Sequence, residues 1–121
     1  GTKRPNYYTY RKFAELVGNF VSVQEIKAED SKYIYKYMLP DGSAVYVLWA
    51  ELADGSTFTI SDLGSVTQVE KICTVPDLNP DDTVILDSSG NPTFETSTEA
   101  VSGGSVTIST TSNVPYYVIP K

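Results

Sequence analysis

The 121-residue sequence contains no histidine. That excludes a Ser-His-Asp triad, a Cys-His nucleophile pair and zinc held by Cys and His ligands. Cysteine occurs once, at Cys73, so no disulfide can form within the chain. Cys73 sits in the alternating apolar run VEKICTV and reads as a small buried core residue. Positive charge is scarce. Nine Lys and Arg face fifteen Asp and Glu, a formal net charge of -6 with a pI near 4.4. Nucleic acid needs a basic stripe for its phosphates, so it is excluded as a partner, and so is an anionic membrane surface. No apolar run approaches the roughly 18 residues of a membrane span. No signal-peptide pattern opens the sequence, which says little about compartment.

What remains is the composition of one globular domain. A chain of this length buries roughly two-thirds of its unfolded surface, enough for one core. In PNYYTYRKFAELVGNF, Tyr10, Phe13, Ala14 and Val17 recur at helical spacing, which predicts a helix at about residues 6–17. Asn6 is placed to cap it, after Pro5, and Gly18 suits a left-handed residue beyond the last turn. From Val21 the period changes to two. Strands are predicted at Val21–Lys27, Lys32–Leu39, Ala44–Glu51, Thr57–Ser61, Val66–Val75, Thr83–Leu86, Thr93–Thr98, Ser105–Ser109 and Tyr116–Ile119. Turn residues separate them, as in PDGS, ADGS, SSGNP and SGG. This spacing implies a mainly β fold: an antiparallel sandwich of about eight strands with one N-terminal helix packed on it.

One hairpin can be registered from its turn. Leu39-Pro40-Asp41-Gly42-Ser43 fits a type I turn followed by a glycine bulge, which pairs Leu39 with Ser43. Tyr37 then faces Val45, Tyr35 faces Val47 and Tyr33 faces Trp49. The opposite side pairs Met38 with Ala44, Lys36 with Tyr46 and Ile34 with Leu48. The ring-rich side is expected to be the core face, and a hairpin apolar on both sides is expected to be covered on both.

Few residues invite chemistry. The acids cluster in turns (Glu29-Asp30, Asp41, Asp54, Asp62, Asp77, Asp81-Asp82 and Asp87) and read as solvated turn residues rather than a glycosidase pair. Asp77, Asn79 and Asp81 match the first odd positions of a calcium loop. The match fails where Asp82 replaces the required glycine and Ser88 the bidentate glutamate. No catalytic, cofactor or metal residue is therefore named. Exposed aromatics for sugar stacking stay open: Tyr46 beside Lys36 on the hairpin's outer side, and Tyr7 or Tyr8 off the helix stripe.

Several segments together resemble a known arrangement. KRPNYYTYRKFAELVGNF looks like the last helix of a (β/α)8-barrel glycoside hydrolase. YKYMLPDGSAVYVLWA resembles the strand pair that follows it, VILDSSGNP a later hairpin, and VTISTTSNVPYYVIP the closing strand pair. The chain departs from the pattern between Val66 and Asp87, where CTVPDLNPDD looks like an insertion. The resemblance implies a helix segment at residues 1–20, left from a preceding barrel, and a sandwich at residues 21–121. It also implies a non-catalytic accessory domain, secreted or at the cell surface, whose partner is the catalytic barrel of the same polypeptide. No barrel strand matches, so no catalytic residue carries over. The helix is expected to pack on the sheet through Tyr10, Phe13 and Val17. Two other readings stay open: a carbohydrate-binding module using exposed aromatics, and an immunoglobulin-like interaction module at the cell surface.

Overall fold

In a computed structural model of the chain, residues 5–29, 31–51, 56–110 and 114–121 are described, residues 5–10 and 29 by their backbone alone. Helix α1 (Pro5–Val17) precedes β1 (Ser22–Glu29), β2 (Lys32–Met38), β3 (Ala44–Ala50), β4 (Thr57–Ile60), β5 (Gln68–Cys73), β6 (Thr96–Ala100), β7 (Val106–Ser109) and β8 (Tyr116–Pro120). Every pairing is antiparallel. A six-stranded sheet runs β1-β2-β3-β8-β5-β6, and β4 pairs with β7 in a second sheet across the core. The fold is the expected mainly β sandwich, with the helix packed on the larger sheet.

The helix begins at Pro5, where a missing N–H costs nothing. Asn6 therefore lies in the first turn and not at the cap. Gly18 is not left-handed either. Its N–H donates to the Ala14 carbonyl at 3.1 Å, and an added Cβ would sit 2.4 Å from that oxygen. Close approach, rather than dihedral freedom, calls for glycine there. Phe13, Leu16 and Val17 pack on a cluster that includes Tyr37, Val45, Val47, Ile72 and Tyr117. The Phe13 ring meets Tyr37 edge-on at 5.9 Å. The expected contacts of Phe13 and Val17 are thus present, while the Tyr10 side chain lies outside the described residues.

The β2–β3 register is the one read from the turn, with Tyr37 opposite Val45, Tyr35 opposite Val47 and Tyr33 opposite Trp49. Leu39 N–H donates to Ser43 O at 2.9 Å, and Gly42 takes φ 87°. Asp41 Oδ1 accepts from the Ser43 N–H and hydroxyl, which holds the turn from outside. The same device recurs twice. Asn79–Thr83 closes with Asp82 at φ 67° in the glycine position, and Asp87–Asn91 closes with Gly90 at φ 79°. In both, an aspartate accepts from backbone N–H groups of its own turn: Asp81 from Thr83, Asp87 from Ser89 and Asn91.

The sidedness of the hairpin is a correction. The expected cover on both faces is present on the ring-rich side only at the end under α1, and the main core lies on the side expected to be outer. Ile34, Tyr46, Leu48 and Ala50 join Phe58, Ile60, Leu63, Val69, Val106, Ile108 and Val118 between the two sheets. On the ring-rich side, α1 covers the end near Val45, and Tyr33, Tyr35 and Trp49 stay half-buried. Tyrosine hydroxyls favour a position with one wet end, while the aliphatic side chains opposite carry no such need. Thr83–Leu86 is not a strand; isolated bridges at Leu78–Val84 and Leu86–Pro92 tie that arm together. The strand expected at Thr93–Thr98 forms instead at Thr96–Ala100. Cys73 is half-buried rather than part of the core.

Candidate functional site

The residues singled out for sugar contact are brought together, but not as a platform. Lys36 and Tyr46 are ladder partners on β2 and β3, and their side chains point between the sheets. The Lys36 ammonium stands 5.5 Å from the Tyr46 ring centroid. Both converge on Asp62, just past β4. Tyr46 Oη donates to Asp62 Oδ1 at 2.7 Å, and Lys36 Nζ donates to Oδ2 at 2.8 Å. Tyr46 is 1% exposed, so its ring has no free face on which a sugar could stack. That corrects the sequence-based expectation. The Tyr7 and Tyr8 side chains lie outside the described residues.

Burial works to raise the Asp62 carboxyl, but the hydrogen bonds from Lys36 and Tyr46 outweigh it and hold the group below the usual carboxylate range. Burial, then the bond to Asp62, pushes the Tyr46 hydroxyl well above an ordinary phenol. Near neutral pH the trio is a fixed carboxylate with two donors attached. Neither the lowered Asp62 nor the raised Tyr46 is tuned for proton transfer near neutral pH. Its effect is to tie the exit of β4 to the larger sheet. Sequence reasoning passed over Asp62, because in SDLGS it looks like any turn acid.

Two surface clefts are lined by described residues. One, of about 310 Å³, lies between α1 and residues 91–94 and is lined by Arg11, Lys12, Glu15, Asn91, Pro92 and Phe94. Arg11 donates to Asn91 Oδ1 at 3.3 Å, and Lys12 lies 5.2 Å from the Phe94 ring centroid. Its cations are already engaged. The other, of about 440 Å³, lies between β1 and the β4 exit, where Asp62 forms part of its wall. Beside α1 an apolar patch reaches solvent. Phe20, Val21 and Val23 are 41%, 66% and 49% exposed. Val23 is opposite Tyr37 in the ladder, and the Phe20 ring meets Tyr37 edge-on at 5.1 Å. Farther along the same face, Tyr33 stacks on Trp49 at 4.8 Å.

Among the described residues, no group of three or more His, Cys, Asp or Glu gathers for a metal. Asp77, Asn79 and Asp81 are engaged as turn and arm ties, with Thr93, Thr83 and Thr83 respectively. No described helix is long and apolar enough to cross a membrane.

No protein-family model and no curated protein matches the sequence. Solved structures do match in shape. A 4-O-alpha-L-rhamnosyl-beta-D-glucuronidase from Fusarium oxysporum 12S aligns over 85% of this chain with a TM-score of 0.58 and 12% identity. A GH30 endoxylanase from Clostridium papyrosolvens C71 aligns over 91% with a TM-score of 0.60 and 18% identity. The chain spans 27% and 26% of those two chains. The likeness anticipated from the sequence motifs is thus present at the level of fold: this chain has the fold of a domain-sized part of glycoside hydrolases.

Proposed function

We propose that the chain is a non-catalytic accessory sandwich of a secreted or cell-surface glycoside hydrolase-like protein, and that it packs against and steadies a catalytic barrel of the same polypeptide. In this reading residues 1–20 belong to the end of the barrel and residues 21–121 form the accessory domain. The observation that carries it is the apolar patch of Phe20, Val21 and Val23, continuous through Tyr37 with the docked face of α1. Three exposed apolar side chains grouped beside a helix support the reading of this face as a contact surface. Alignment to about a quarter of two glycosidases supports the same reading.

The test is made in the complete polypeptide. Val21→Glu with Val23→Glu should lower the melting temperature of the barrel while the sandwich alone, followed by Trp49 fluorescence, stays folded. An unchanged barrel melt would overturn the proposal. Two further measurements on the isolated chain separate the other readings. Saturable Trp49 fluorescence changes with soluble polysaccharide would favour a carbohydrate-binding module. Turnover of aryl glycosides would make the domain an enzyme.

A further inference from the structure

Helix α1 is poorly equipped to stand alone. It has 13 residues, with no acidic side chain in its first turn and no basic one in its last. Isolated helices of that length are marginal in water. One side of it, Phe13, Leu16 and Val17, packs on the larger sheet. A second side faces residues 75–94, an arm between β5 and β6 that is tied to itself. Asp77 N–H donates to Thr93 O at 2.8 Å, and Ile85 N–H to Asp77 O at 3.0 Å. Asp77 Oδ2 also accepts from the Thr93 hydroxyl at 2.9 Å. Bridges at Leu78–Val84 and Leu86–Pro92 and the two tight turns close the rest. At the base, Thr74 N–H and hydroxyl both donate to Pro115 O, at 3.1 and 2.8 Å. The arm is thus a small body rooted in the larger sheet.

We propose that residues 75–94 form a clasp that keeps α1 docked on the larger sheet, and that opening the clasp frees the helix while the sandwich stays folded. The arm grips the flank of the helix at two places. Arg11 Nη2 donates to Asn91 Oδ1 at 3.3 Å, and the Lys12 ammonium lies 5.2 Å from the Phe94 ring centroid. Phe94 in turn packs against the same cluster as Phe13 and Leu16. Between these contacts the cleft of about 310 Å³ stays open, so arm and helix touch without interlocking. The core between the two sheets draws no residue from α1 or from the arm. Helix and arm therefore make a unit that can open locally, with the main core intact. If α1 is the end of a barrel, the clasp also fixes how that barrel sits on the sandwich. That consequence rests on the function proposed above; the clasp itself does not.

The experiment follows amide hydrogen exchange in the ¹⁵N-labelled chain, at residues 12–17 of α1 and at Tyr46 and Leu48 of β3. In the intact chain the helix amides should be protected, yet exchange faster than those of β3. Asn91→Ala removes the acceptor for Arg11 and should speed the helix amides about threefold. Phe94→Ala removes the ring under Lys12 and should speed them about tenfold. Neither should change Tyr46 or Leu48. If Phe94→Ala does not fold, a second variant cuts the arm itself, with Asn-Gly in place of residues 78–92. Asp77 and Thr93 are already bonded to each other, and a two-residue turn joins such a pair. This variant should again speed the helix amides about tenfold and leave β3 unchanged. The proposal is overturned by helix amides unprotected in the intact chain, by helix amides unaffected in the variants, or by β3 amides that speed up by the same factor. The barrel melt is read on Val21 and Val23 variants of the complete polypeptide, so either result can fail alone.

Discussion

The Tyr46 hydroxyl donates to Asp62 Oδ1 at 2.7 Å from a ring that is 1% exposed. The bond crosses from the larger sheet to the exit of β4, so the ring and its hydroxyl stabilise the fold separately. Tyr46→Phe keeps the ring and should cost about 1 kcal/mol, because Asp62 retains Lys36 and water. Tyr46→Ala should cost about 3–5 kcal/mol, as other large buried truncations do. Urea unfolding of the two variants measures both steps.

Two tyrosines set an alkaline limit. Burial first, then the neighbouring Tyr37, pushes the Tyr117 hydroxyl up to about 12 from its ordinary 10.0. Tyr46 is raised further, by burial and then Asp62. Both hold their proton more tightly folded than unfolded. Their contribution is therefore complete below about pH 10 and is lost as pH rises through the folded values. Asp62 has the opposite sign. Its folded value is lowered, so its contribution is present above about pH 4 and is lost as pH falls through the folded value. The urea midpoint should be level between these limits and fall outside them. Tyr117→Phe should flatten the alkaline fall.

Gly18→Ala should loosen the helix. The new methyl would meet the Ala14 carbonyl at 2.4 Å, a backbone atom that cannot swing aside. The cost should be about 1–3 kcal/mol, in line with overpacking elsewhere. The relief is a shift of α1, read as a change in the Tyr37 ring environment by NMR. Unaltered stability would show that the chain turns freely after Val17.

Truncations on the two faces of β3 should differ. Leu48→Ala, in the core between the sheets, should cost about 2–5 kcal/mol. Trp49→Ala removes a half-buried ring stacked on Tyr33 and should cost less than the 3–5 kcal/mol of a fully buried Trp. Equal losses would mean that something else covers Trp49.

The contrast between these neighbours marks what could be read in advance. The turn from Leu39 to Ser43 was legible because its chemistry is local: Pro40 presets one dihedral and Gly42 supplies the positive one, and register follows. Which side of that hairpin lies deeper was not legible. It depends on where a distant pair, β4 and β7, comes to rest. Thr83–Leu86 alternates like a strand, yet the two tight turns flanking it close an arm tied by isolated bridges. Asp62 becomes a tie only because Lys36 and Tyr46, 26 and 16 residues away, meet there. No local pattern announces such a meeting.

β8 lies between β3 and β5 in the larger sheet, although it follows all the other described strands in sequence. The β1-β2-β3 meander can close as soon as it leaves the ribosome, since its partners are neighbours in sequence. The β5–β6 pair can wait beside it, but the two halves have no ladder in common until Tyr116–Pro120 is made. Until then β3 and β5 each offer an unpaired edge. The nascent sheet is most open to wrong pairing just before β8 is added, when holding chaperones would matter most.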